Sequence, residues 1–104
     1  MTDTLNALLV RENDLPSNRE SFDNACREPG QLAARSEQEI VEWLADREHA
    51  AIVKTIEGPT AIFPSAGFDT GWYWQTLPLE DPNDAEWADD PTDAIRQLRS
   101  YDMI

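Results

Sequence analysis

The sequence predicts an α+β fold: a small antiparallel sheet of three to four strands packed with two to three helices. Three observations carry that expectation. The stretch from Ala51 to Leu77 holds three β-rich runs separated by turn residues. Two segments, opening near Glu37 and near Pro91, pair capping residues with apolar side chains at helical spacing. At 104 residues the chain fits one domain with a modest core, and no linker or internal repeat divides it.

In chain order, Thr2, Asp3 and Thr4 offer caps before Leu5, Leu8 and Leu9, a spacing that suits a short helix. The compact run Leu8-Leu9-Val10 suits a strand equally well. A polar loop follows to Pro16. Ser17 with Glu20 makes a capping box for a helix that shows Phe22, Ala25 and Cys26 on one face and ends at Pro29-Gly30. Gln31 to Arg35 is ambiguous, with a strand one reading. Ser36 with Glu39 makes a second capping box, and that helix is expected to run to about Glu48 with Ile40, Val41 and Leu44 inward.

The meander then spans about 51–77. Ile52 to Ile56 is β-branched, Gly58-Pro59 punctuates, and Thr60 to Phe63 is stopped by Pro64. After a small-residue loop, Trp72 to Leu77 is the third run, with Trp72 and Trp74 sharing a face and Tyr73 opposite. The segment after Pro78 reads as a loop broken by Pro82 and Pro91, with a helical turn expected around Ala85 to Trp87. Asp90-Pro91 starts a final helix with Ala94, Ile95, Leu98 and Tyr101 inward, expected to lie against the meander.

Charge is the strongest compositional signal. Against 21 acidic residues stand 8 basic ones, giving a formal net charge of −13. Such a field repels nucleic acid and anionic membrane and attracts basic surfaces. No run has the ~18–20 apolar residues a membrane span needs, and no basic-then-apolar leader opens the chain, so a soluble cytoplasmic protein is expected. A lone cysteine, Cys26, excludes an internal disulfide and reads as a small buried hydrophobe.

Catalysis has little to stand on. His49 is the one histidine, and no nucleophile-elbow, zinc-ligand or phosphate-loop spacing occurs, so no enzyme and no cofactor are expected. Asp81, Asn83, Asp84 and Glu86 are oxygen ligands of the kind Ca²⁺ takes. They fail the EF-hand pattern at the third ligand position and at the turn glycine, and counter-ion condensation accounts for them as well.

Two acidic rows are the candidate binding residues. Glu39, Glu42 and Asp46 recur along one side of the second expected helix, without a Lys or Arg four residues away to balance them. From Glu80 to Asp93 there are seven carboxylates and no basic residue. Trp87 lies within this second row, among Glu80, Asp81, Asp84, Glu86, Asp89 and Asp90, as an aromatic anchor ringed by charge. Same-side residues lie ~5–6 Å apart on a helix and ~6.6–6.8 Å apart on a strand. Both are near the spacing of successive phosphates, so such rows suit a phosphate-binding cleft.

In size and charge the chain resembles small proteins of phages and mobile elements that block restriction or CRISPR machinery, with no shared motif. The charge and the two rows lead to the expectation of a non-catalytic inhibitor whose partner is the basic surface of a nucleic-acid-binding protein or complex. It would touch no nucleic acid and no membrane itself. The alternative is a salt-adapted α+β protein with a protein-interaction or antitoxin-like role.

Overall fold

A computed structural model describes residues 4–65, 71–80 and 85–104. Six strands, β1 (Thr4–Arg11), β2 (Leu32–Ser36), β3 (His49–Thr55), β4 (Gly58–Pro64), β5 (Trp72–Thr76) and β6 (Glu86–Ala88), form one sheet in the order β2-β1-β3-β4-β5-β6. Every neighbouring pair is antiparallel. The helices are α1 (Arg19–Cys26), α2 (Glu37–Leu44) and α3 (Pro91–Ser100).

The class is α+β, but the expected three- to four-stranded sheet is corrected to six. β1 and β2 extend it beyond β3 on one side, and β6 extends it beyond β5 on the other. β1 is a strand because both of its faces are buried. Leu5, Ala7 and Leu9 contribute to one apolar cluster, while Leu8 and Val10 contribute to the other. A two-sided strand shows no polar alternation, and that is why its leucine spacing passed equally well for a helix.

The first face is covered by α2 and α3, which are among the elements touching the sheet there. Ile40 and Leu44 from α2 and Ile95 and Leu98 from α3 pack on Ala51, Val53, Ile62, Trp72 and Trp74. Full burial of one such aliphatic side chain contributes about 1.5–3 kcal/mol. The second face is covered by α1, where Phe22 meets Leu8, Ile52, Ala61 and Leu77. β2 and β3 both flank β1 antiparallel to it, so they run parallel to each other and α2 forms the crossover between them.

Local boundaries are corrected in three places. α1 is capped by Asn18, whose side chain accepts from Ser21 N at 2.8 Å in a box with Ser21, not by Ser17 with Glu20. α2 stops at Leu44, short of Glu48, because Asp46 turns the chain by accepting from Glu48 N at 2.9 Å. The expected helical turn around Ala85 to Trp87 is β6, paired to β5 through Trp72–Ala88, Tyr73–Trp87 and Trp74–Glu86. Ser36 caps α2 as expected, accepting from Glu39 N at 3.1 Å.

The C-terminus closes the first face. α3 ends in a Schellman arrangement, with Met103 N donating to Leu98 O at 2.9 Å and Asp102 N to Arg99 O at 3.0 Å. Met103 then accepts from Ile56 N at 3.0 Å, tying the last residues to the β3–β4 hairpin.

Candidate functional site

The first acidic row is less free than its sequence implies. Glu39 and Glu42 are exposed on α2, and Asp46 lies beyond the helix end. Arg35, four residues before Glu39, reaches its carboxylate at 2.7 Å, which corrects the expectation that no cation balances the row. The same guanidinium donates to Ala7 O at 3.1 Å and Gln31 O at 3.0 Å, fastening β2 to β1. Glu42 accepts from Gln38 at 3.2 Å. Trp43, on the same helix, is fixed into the structure: its Nε1 donates to Ala50 O at 2.9 Å, and its ring stacks on His49 at 3.6 Å.

The second row is divided rather than continuous. Asp81 and Asp84, with Asn83 of the suggested Ca²⁺ set, lie outside the described residues. Glu80 is exposed. Glu86 and Trp87 are neighbours on β6 and therefore point to opposite faces of the sheet. Asp90 is the N-cap of α3, accepting from Asp93 N at 2.7 Å, and Asp93 accepts from Asp89 N and from Gln97. These carboxylates hold a helix terminus, where negative charge also meets the helix dipole favourably. Among the described residues, no group of three or more His, Cys, Asp or Glu is placed to hold a metal ion.

Trp87 is 42% exposed. Its ring packs edge-on to Tyr73 at 5.6 Å, and Tyr73 in turn meets Phe63 at 6.0 Å, an aromatic row across β4, β5 and β6. A Cβ on Gly71 would run into the six-membered ring of Trp87, so glycine there is what lets the indole lie close over the backbone. Trp72 and Trp74 belong to the core on the other face, at 8% and 6% exposure. Arg47 sits 4.6 Å from the centroid of the Trp72 ring and donates to Ser65 O and Gly71 O.

A cleft that sequence reasoning missed lies on the first face at the β5–β6 end. Glu57, Trp74, Thr76, Glu86, Tyr101 and Met103 line it, with a volume of about 350 Å³. These residues come from the β3–β4 turn, β5, β6 and the end of α3, and no linear motif joins them. Trp74 forms the floor, held by its Nε1 donating to Gln97 Oε1 at 2.9 Å. Tyr101 stands against it at 5.7 Å between ring centroids and is 59% exposed. Thr76 is linked to the buried Thr60 hydroxyl at 3.0 Å.

Three residues at or beside this cleft are unusual in the structure, though nothing in the sequence singles them out. Ile56 lies in the two-residue turn between β3 and β4, just before Gly58 with its positive φ of 119°, and it is 80% exposed. Asp102 has φ 58° at the position where helices usually end in glycine. Tyr101 was expected to face inward and instead projects from the helix end.

Cys26 is half-buried, and burial, followed by the charge of Asp23, pushes its thiol pKa up, while Lys54 offsets part of this. A raised thiol is a poor nucleophile. Among the described residues, no helix is long and apolar enough to cross a membrane. Comparison with protein-family models, curated proteins and solved structures finds no match to this chain.

Proposed function

We propose that this protein is a non-catalytic acidic binding protein that occludes the basic, phosphate-binding surface of a nucleic-acid-handling partner. One observation carries the reading: against 21 acidic residues stand 8 basic ones, and five of these engage the protein's own structure while Arg11, Arg27 and Lys54 are exposed, so its outward charge is predominantly negative. Arg35 pairs with Glu39, Arg96 with Asp93 and Arg99 with Glu37. Arg19 donates to Glu57 O, and Arg47 is held between Trp72 and two backbone carbonyls. Exposed carboxylates at Glu42, Glu57, Glu80, Glu86, Asp89 and Asp102 face solvent around the molecule. A field of this sign steers the protein toward a basic groove and away from nucleic acid.

The reading relies on the summed field and on local clusters, since Glu39 is paired with Arg35 and Asp90 caps α3. Its test is competition. A partner is captured from extract at low salt, purified, and offered labelled nucleic acid together with this protein. Mutual exclusion that weakens as salt screens the charges is the expected result. A stable ternary complex would remove occlusion and leave an ordinary interaction module. Folding only in molar salt would favour the salt-adapted alternative, so a melting series across salt accompanies the assay; melting independent of molar salt is expected.

A further inference from the structure

We infer that the cleft between the β3–β4 turn, β5, β6 and the end of α3 receives a single arginine side chain of the protein partner. The inference rests on the acidic-docking reading and adds to it the place and the chemistry of the central contact. The cleft combines two things that a guanidinium needs. Trp74 and Tyr101 supply aromatic surface for the planar cation, and Glu57 and Glu86 supply carboxylates on its walls. Its volume of about 350 Å³ is at the small end for a binding pocket, as suits one side chain rather than a cofactor.

Exposure singles out the same place. Among the described residues the exposed large hydrophobics are Ile56, Trp87 and Tyr101, and two of these three belong to this end of the molecule. Tyr101 lines the cleft, and Ile56 is hydrogen-bonded to the cleft residue Met103 and precedes Glu57. Exposed aromatic and large apolar side chains mark interface centres, and arginine is enriched among the residues that anchor there. The molecule already uses the proposed geometry once internally, where the Arg47 guanidinium lies over Trp72.

Asp102 adds to the charge beside the cleft. It adopts a left-handed conformation that glycine would occupy without strain, and it places a negative charge at a helix C-terminus. Both choices cost stability. Its exposed carboxylate lies between the cleft residues Tyr101 and Met103 in the chain and adds to the negative field there. Arginine is favoured over lysine because a planar fork both stacks on rings and pairs with carboxylates, whereas an ammonium is a more strongly hydrated point charge.

The test needs no identified partner. Acetyl-Gly-Arg-Gly-amide and its lysine counterpart are titrated into the whole protein while amide, methyl and indole NMR signals are followed. Saturable shifts should concentrate on Ile56, the Trp74 indole, Glu86, Tyr101 and Met103. Binding of the lysine peptide should be weaker by roughly fivefold or more. Glu57→Gln with Glu86→Gln, both exposed side chains, should weaken the arginine peptide by a similar factor, and Tyr101→Leu likewise, with the remaining spectrum unchanged. Glu39→Gln with Glu42→Gln should leave binding as it was. Equal binding of the two peptides, shifts spread over all carboxylates, or equal loss in the α2 variant would each overturn the site. Failure of nucleic-acid competition with this titration intact would instead remove occlusion and keep the arginine site.

Discussion

On α2, Glu39 lies 2.7 Å from Arg35, and Glu37 lies 2.6 Å from Arg99 of α3, so carboxylates there are matched to arginines that join neighbouring elements. At the other end of the same face, Glu57 and Glu86 stand on a cleft floored by Trp74 and walled by Tyr101. The two regions look alike in composition and differ in employment. Charge on α2 helps to connect β2, α2 and α3, while charge at the cleft has aromatic surface beside it. An acidic residue in a sequence is therefore a weak indicator of a binding site until its partners are known.

The largest effect expected on the α2 side is from its anchor rather than its charges. Leu44→Ala should cost about 2–5 kcal/mol, read by denaturant unfolding, because the side chain is fully buried between helix and sheet. An unchanged midpoint would mean that α2 does not pack as described. Arg35→Ala should come next, at about 1–3 kcal/mol, since it removes bonds to two backbone carbonyls as well as the pair with Glu39. Glu39→Gln alone should cost well under that, because the carboxylate is half exposed and its pairing is screened. Equal losses from the two would show that the pair, not the strand clamp, is what matters.

The cleft side predicts a change of the opposite sign. Asp102→Gly should raise stability by about 0.5–1 kcal/mol by relieving the left-handed strain and the charge at the helix end. Thermal melting checks it, and a loss of stability would show that Asp102 makes a contact worth more than the strain. Within the second row, Asp90→Lys should lower stability by about 1 kcal/mol through loss of the α3 cap, whereas Asp89→Lys should be near neutral. A triple reversal of Glu86, Asp89 and Asp90 therefore perturbs the fold as well as the charge.

Legibility in the sequence followed local physics. β3, β4 and β5 stood out because β-branched and aromatic runs ended in Gly-Pro, Pro and small residues, and α2 and α3 because their caps are sequence-local. β2 was obscured because Ala33 and Ala34 carry no strand preference; pairing with β1 places them. β6 was hidden in an acidic segment, and Trp87 joins the sheet through Tyr73, 14 residues earlier in the chain. The cleft was illegible for a stronger reason: its residues are joined by the sheet order, the Ile56–Met103 bond and the Trp74–Tyr101 ring contact, none of which is local in sequence. Charge rows, by contrast, were visible in sequence but were divided by alternation on β6 and by capping at Asp90.

The most direct measurement of the central claim compares charge reversal in the two regions against one captured partner. Association rates are recorded across a salt series for Glu57→Lys with Glu86→Lys and for Glu39→Lys with Glu42→Lys, each pair changing the net charge equally. The account predicts that both variants associate more slowly at low salt, since both weaken the field, and that the cleft variant alone also dissociates much faster. Identical behaviour of the two variants in both rates would contradict it, leaving the acidity as an undirected field with no binding centre at the cleft.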